Sequence, residues 1–226
     1  LQSAIAWRLA KHRTKLKIPK GKWIDLGSDT GLLADALETC VPNQDVLRLD
    51  GSSGMLKRNK PGSSTKLWNL NCGLPSWSKG TSLIASSFCL QWLTNPSTRL
   101  EEWFSTLLPG GWLAIAIPVD GSFPQWHFAA QTAGVDCTAM PLPSANSLLD
   151  SIPLQSIRLQ KLLRFTQQET DVPSILRAIR KVGAQSSPHH SLGVKEWRKI
   201  NDSWPRSEND GVTRLTWLIQ MLLIQR

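Results

Sequence analysis

The residues of this 226-residue chain best suited to chemistry gather first in one short run, WIDLGSDTG, from Trp23 to Gly31. An apolar stretch carrying Asp25 leads into a loop framed by Gly27 and Gly31, with Ser28 and Asp29 between them. Such a turn joins a strand to a helix whose unpaired backbone N–H groups can meet a ligand. Asp50 ends the run DVLRLD, 19 residues beyond Gly31. That is close to the separation of about 20 expected of an acid that accepts hydrogen bonds from both hydroxyls of a ribose. Charge then discriminates between ligands. A dinucleotide would lay its pyrophosphate against the loop, where the carboxylate of Asp29 opposes it. The GxGxxG spacing is missing as well, because neither Asp29 nor Leu32 is glycine. S-adenosylmethionine has no phosphate and carries a sulfonium and an ammonium, so Asp25 and Asp29 are compatible with it. Asp also enters left-handed backbone more readily than most residues.

The elements that must position these groups follow from periodicity. Lys22–Leu26 reads as a strand, and Leu32, Leu33, Ala36 and Leu37 as one face of a helix opened by Gly31 and ended near Pro42. Asp45–Asp50 is a second strand, Ser53–Arg58 a short helix, and Lys66–Leu70 and Ser82–Ser86 third and fourth strands. Asn95 is expected to cap a helix with Pro96 at its first position and Leu100, Trp103, Phe104, Leu107 and Leu108 as its buried stripe. Pro109-Gly110-Gly111 should stop that helix before a fifth strand, Trp112–Ile117.

Strand alternating with helix implies an α/β fold, Rossmann-like, with a mostly parallel seven-stranded sheet and helices on both faces. Residues 3–17 read as a basic amphipathic helix ahead of it. After Pro118 the pattern loosens, and 119–157 is expected to be a small helical cap insertion within a single domain spanning 1–226. Arg158–Phe165 and Leu215–Ile224 supply the last two strands. Between them lie a helix capped by Asp171 with Ile175, Leu176, Ile179 and Val182, a polar stretch Ser186–Ser191, and a helix near Val194–Trp204.

Composition narrows the function classes. No apolar run approaches the roughly 18–20 residues of a membrane span. The four cysteines show no CxxC spacing, which argues against zinc and against a disulfide framework and points to a reducing cytoplasm. The pair His189-His190 has nothing to complete a metal site. The net charge is +9, and seven Lys and Arg residues precede the first acid, Asp25. That balance reads as a solvated basic face or as attraction to an acidic partner, either nucleic acid or protein. The chain holds 11 tryptophans and no tyrosine, and its start at Leu1 rather than Met points to a further segment upstream.

On these residues the chain resembles the class I S-adenosylmethionine-dependent methyltransferases. WIDLGSDTGLLADAL looks like their first motif and VLRLDGSSGML like their ribose-and-adenine segment. The run LIASSFCLQWLTNPSTRLEEWFSTLLPGGWLAIAIPVDGSFPQWH, followed by LRAIRKVGAQ and a final LTWLIQMLLIQ strand, is similar to the malonyl-acyl-carrier-protein O-methyltransferases of biotin synthesis. The chain departs from that pattern at Asp29, at Asn69 where an acid usually meets the adenine amino group, at Ser87 for Asn, and at Gln125 for Glu. The family's upstream segment, with a tyrosine over the active site, is not in this sequence.

The resemblance implies S-adenosylmethionine held by Asp25, Gly27, Ser28, Gly31, Asp50, Gly51, Met55, Asn69, Leu70 and Ser86. It implies an acceptor site with Gln91, Trp92 and His127, and Arg177 as the arginine that holds a carboxylate. The partner implied is an acidic acyl carrier protein bearing a malonyl group. Three rival readings stay open: a nucleic-acid methyltransferase or RNA-binding protein, a catalytically silent relative, and a small-molecule methyltransferase with another acceptor. The first lacks the (N/D/S)PP(F/Y/W) element after strand four, where SSFCLQW stands.

Overall fold

A computed structural model describes residues 1–13, 16–181, 192–206 and 211–226. The polar stretch Ser186–Ser191 and the pair His189-His190 lie outside these residues. The seven strands are β1 (Trp23–Leu26), β2 (Val46–Asp50), β3 (Thr65–Leu67), β4 (Thr81–Ser87), β5 (Leu107–Pro118), β6 (Ile157–Glu169) and β7 (Thr213–Gln225). They form one sheet in the order β3-β2-β1-β4-β5-β7-β6. The pairs β1–β2, β1–β4, β2–β3 and β4–β5 are parallel. Strand β7 runs the other way against β5: Gly110 N–H donates to Arg226 O, and Arg226 N–H donates to Gly111 O. The expected α/β class, Rossmann-like with a mostly parallel sheet, therefore holds.

The helices are α1 (Gln2–Arg13), α2 (Leu32–Cys40), α3 (Ser53–Leu56), α4 (Pro96–Thr106), α5 (Pro124–Ala133), α6 (Ala145–Asp150), α7 (Val172–Lys181) and α8 (Val194–Ser203). By contacts the chain divides into two compact units. The first comprises 1–118, 143–163 and 220–226, and the second 119–142 and 164–219. The stretch 119–157 thus splits, its first part in the second unit and its remainder in the first.

In the first unit, β1 is buried along its whole length because it lies between β2 and β4. Four consecutive buried positions explain why WIDL shows no alternation, as expected of an inner parallel strand. Ile5, Ala6, Leu9 and Ala10 of α1 and Leu33, Ala34, Ala36 and Leu37 of α2 are buried, and the two helices pack on each other.

Three expectations fail locally. Asn95 sits in left-handed backbone (φ 53°) and its side chain makes no cap bond, although Pro96 does open the helix. The helix also ends earlier, at Thr106, because Leu107 turns extended (φ −60°, ψ 152°) and joins β5. Leu107 and Leu108 accordingly pack from a strand, not from the helical stripe. Strand β3 is shorter than expected, and Leu70 falls in a 3₁₀ turn, Leu70–Cys72, initiated by Asn69.

In the second unit, Phe123 packs edge-on against Trp217 with ring centroids 4.6 Å apart, and Trp126 lies 6.1 Å from Trp197. Gln125 bonds Thr216 through both ends of its amide, Nε2 donating to Thr216 Oγ1 (2.9 Å) and Oε1 accepting from Thr216 N–H (3.0 Å). An ionised glutamate at this position could accept from the backbone but could not donate to the hydroxyl. The amide is thereby explained.

Candidate cofactor site

The sheet order reverses between β1 and β4, which makes the ends of these two strands the switch point where ligands enter open α/β sheets. The loop after β1 is built by local bonds. Leu49 O accepts from both Gly27 N–H (2.8 Å) and Ser28 N–H (3.0 Å), and Gly31 N–H donates to Ser28 O (2.7 Å). Gly27 (φ 66°) and Gly31 (φ 87°) lie in left-handed backbone. A Cβ on Gly27 would enter the Cys89 side chain, and one on Gly31 would meet Asn59 Oδ1. Both glycines are therefore required by the protein's own packing.

Asp29 also takes left-handed backbone (φ 48°). Two side chains from other elements hold it there. Its N–H donates to Asp50 Oδ2 (2.9 Å), and its carbonyl accepts from Asn59 Nδ2 (2.9 Å). The same amide of Asn59 also bonds Met55 O and Leu56 O at 3.2 Å, so the loop is tied to α3. Asp50 in turn accepts from Ser52 N–H (2.8 Å) through Oδ1. Each carboxylate oxygen thus makes one bond and retains a lone pair for another donor.

A small cavity of about 30 Å³ opens at this loop, lined among others by Gln2 and Ala6 of α1, by Asp25, Ser28 and Asp29, and by Ser87 at the end of β4. Holding a water takes roughly 10–15 Å³, so the space admits a group the size of water or ammonium. Four buried polar atoms here have no hydrogen-bond partner among the described residues: Asp25 Oδ1, Ser28 Oγ, Asp29 Oδ1 and Ser87 Oγ. Buried polar atoms are normally satisfied, so a cluster of orphans at one cavity points to an occupant that donates hydrogen bonds. Two carboxylates and two hydroxyls suit a ligand end rich in donors and positively charged.

Asp25 is the most perturbed of these groups. It is 1% exposed, and its other oxygen accepts from Ala34 N–H (3.1 Å). Burial pushes its pKa up to about 7, against the opposing pull of the Ala34 N–H bond and of Arg48, which faces it across the β1–β2 pairing. Burial, and then the charge of Asp50, likewise raise the pKa of Asp29. Behind the loop Arg48 is fully buried, bonded to Glu38 (3.0 and 2.9 Å) and Asp35 (2.7 Å), with Lys60 on the same two carboxylates. Burial works against charge on Glu38, but the Arg48 and Lys60 bonds outweigh it and lower its pKa.

The structure brings together at this loop most residues expected to hold a cofactor. Asp25, Gly27 and Ser28 line the cavity, and Gly31 starts α2 beside them. Asp50 is joined to the loop through Asp29, and Gly51 and Met55 follow it, Met55 N–H donating to Ser52 Oγ (3.3 Å). Asn69 and Leu70 sit just beyond β3, which Trp68 N–H ties to Asp50 O (2.9 Å). The Asn69 carbonyl oxygen is engaged by Asn71 N–H (3.0 Å), and Leu70 is buried.

Ser86 does not reach the cavity with its hydroxyl, which donates to Leu26 O (2.8 Å) and binds β4 to β1. Its neighbour Ser87 supplies the hydroxyl there, since successive strand residues point to opposite faces. Sequence reading also missed Asn59 and Gln2, which no local spacing marks as part of the site.

The residues expected at the acceptor site fall in both compact units. Gln91 and Trp92 follow β4 in a 3₁₀ turn, where Gln91 Nε2 donates to Phe88 O (2.8 Å) and Oε1 is buried without a partner. His127 is exposed on α5 and Arg177 exposed on α7, where it donates to Ser174 Oγ (2.8 Å); both belong to the second unit. Among the described residues no group of three or more His, Cys, Asp and Glu could hold a metal ion, and no helix is long and apolar enough to cross a membrane.

Comparison with known proteins places this fold. No protein-family model matches the sequence. A curated relative from Marinomonas sp. (strain MWYL1), named malonyl-[acyl-carrier protein] O-methyltransferase, is 23% identical over 90% of this chain and 79% of its own. A trans-aconitate 2-methyltransferase from Azoarcus sp. (strain BH72) is 28% identical over 71% of this chain and 67% of its own. Among solved structures, a protein from Bacillus halodurans C-125 described as a methyltransferase superposes with a TM-score of 0.65 at 12% identity, covering 97% of both chains. The geranyl diphosphate C-methyltransferase of Streptomyces coelicolor A3(2), solved with S-adenosyl-L-homocysteine, gives 0.56 at 14% identity, over all of this chain and 79% of that one.

Proposed function

From the premise that this chain is an S-adenosylmethionine-dependent methyltransferase of the class I fold, we propose that its acceptor is the free carboxylate of a malonyl thioester on acyl carrier protein, an early step of biotin synthesis. The observation that carries the cofactor half is the cluster of orphan oxygens on Asp25, Ser28, Asp29 and Ser87 at one cavity. S-adenosylmethionine fits this donor set, because its amino-acid end offers an ammonium and no phosphate. When bound, it supplies an electrophilic methyl group on a sulfonium.

The protein's own tasks are then few. Asp25, Ser28 and Ser87 take the cofactor's polar end, Asp50 accepts from the ribose hydroxyls, and Asn69 and Leu70 border the adenine. The acceptor carboxylate is already ionised near neutral pH, so no general base is needed. What remains is to align oxygen, methyl carbon and sulfur and to keep water out, catalysis by proximity and desolvation. Gln91, whose buried Oε1 lacks a partner, and Trp92 are the acceptor-side residues nearest in sequence to the cavity's Ser87. His127 would line the acyl pocket and Arg177 would grip the malonyl carboxylate with its guanidinium fork.

The basic balance of the chain supports an acidic protein partner, which long-range attraction would steer in. Kinship with relatives named for malonyl-[acyl-carrier protein] supports the acceptor. The trans-aconitate relative favours a second reading, a small free polycarboxylate as acceptor. Rescue of a biotin-requiring strain that lacks its malonyl methyltransferase tests the first. Growth without biotin supports the carrier-bound acceptor. Failure with soluble protein present, together with methylation of trans-aconitate in vitro, selects the second.

A further inference from the structure

We infer that Asp29 is a ligand-binding residue that fixes the specificity of the cavity: its carboxylate receives the cationic amino group of the bound cofactor, beside Asp25. The inference rests on the S-adenosylmethionine reading above and adds to it a contact made by a side chain where the resembled motif has a glycine.

Three observations carry it. First, Asp29 is pinned from both sides through its main chain, N–H to Asp50 Oδ2 and carbonyl to Asn59 Nδ2, each at 2.9 Å. Left-handed backbone at a residue other than glycine persists where surrounding contacts over-determine it, and here two side chains, 21 residues ahead and 30 residues ahead, do so. The conformation is thus imposed on the peptide and leaves the carboxylate uncommitted. Second, that carboxylate keeps Oδ1 buried with no partner among the described residues, and Asp29 is one of the residues that line the cavity.

Third, the cavity has a second, independent orphan in Asp25 Oδ1, on a side chain 99% removed from solvent, together with Ser28 Oγ. Two acids line a space of about 30 Å³, and burial opposes the charged form of each, so an anion is disfavoured there and a cation would stabilise both as carboxylates. Cys89, the nearby thiol, is held neutral by burial and supplies no charge. A phosphate is disfavoured by sign and by size, and a ligand without donors would leave Asp25 Oδ1 and Asp29 Oδ1 without a hydrogen bond. An ammonium with three donors satisfies both acids and has one donor left for Ser28 or Ser87.

The test is a ratio of affinities that does not depend on turnover. S-adenosylhomocysteine and its deamino analogue, which keeps the carboxylate but lacks the amino group, are titrated calorimetrically into the wild type, Asp29→Asn and Asp29→Gly. Asn tolerates left-handed backbone and Gly is at ease there, so neither substitution strains the loop, and thermal melts verify the fold.

Losing a charge-assisted bond should weaken S-adenosylhomocysteine by about tenfold to a hundredfold in both variants. The deamino analogue should change by less than about twofold, since the contact it would lose is one it never makes. An unchanged ratio, or an equal loss for both ligands, overturns the assignment of Asp29 while leaving the cofactor reading in place. Failure of the wild type to bind either ligand overturns the cofactor reading, and this inference with it.

Discussion

Replacing Asp25 by Asn should raise the stability of the protein at pH 8 while removing cofactor affinity. In the folded chain burial lifts the Asp25 pKa from 3.8 to about 7. The sign follows from proton binding: below about pH 4 both folded and unfolded chains hold the proton, so Asp25 contributes nothing. Between pH 4 and 7 the unfolded chain releases its proton and the folded chain keeps it, so stability falls as pH rises. Above 7 the folded chain carries a buried charge, and the penalty levels off.

The gap of about three pKa units corresponds to about 4 kcal/mol as an upper bound. Asn occupies the same volume, can accept from Ala34 N–H as Asp25 does at 3.1 Å, and carries no charge. For a chain of this length 1 kcal/mol moves Tm by about 2–4 °C, so Asp25→Asn should melt about 5–15 °C above wild type at pH 8 and together with it near pH 4. Differential scanning calorimetry from pH 4 to 8 measures the difference directly. S-adenosylhomocysteine should narrow it by stabilising only the wild type. A variant less stable than wild type at pH 8, or a difference that does not change with pH, would refute the reasoning that Asp25 is a charge kept buried for a ligand.

Other perturbations test the parts that hold the site. Arg48→Met leaves Glu38 and Asp35 to the half-exposed Lys60 alone and should cost about 1–3 kcal/mol in urea denaturation; an unchanged midpoint would contradict the network's role. Gly27→Ala drives a Cβ into Cys89 at φ 66° and should lower stability by more than about 2 kcal/mol, read as an earlier urea midpoint. Raising salt from low concentration to about 0.5 M should raise KM for malonyl carrier protein and leave KM for S-adenosylmethionine unchanged, because screening acts on the exposed basic surface; no difference between the two would remove the electrostatic steering.

The parts of this architecture that were legible in the sequence are those written in local pattern. WIDL, DVLRLD and SLIAS are apolar runs bounded by turn residues, and the helix after Gly31 shows its face in Leu33, Ala36 and Leu37, all buried. The Gly27 to Gly31 loop and Asp50 announced themselves by spacing alone.

Other features depend on distant partners. The end of α4 at Thr106 follows from strand pairing, with Arg226 bonded to Gly110 and Gly111 from the far end of the chain. Asn95 resembles a cap by residue type, but its left-handed backbone gives the side chain no N–H to receive. Asn59 reads as an ordinary polar residue, yet its amide meets Asp29 across 30 positions. Ser86 and Ser87 are equivalent in composition and differ only in which face of β4 each occupies. In each case tertiary context decides what the side chain does.

The most direct test of the central claim is mass spectrometry of malonyl carrier protein incubated with the purified chain and S-adenosylmethionine. The expected product is a carrier heavier by one methylene, its formerly free carboxylate now a methyl ester, with no such product from acetyl carrier protein. An unmodified malonyl carrier from protein that demonstrably binds S-adenosylhomocysteine would contradict it.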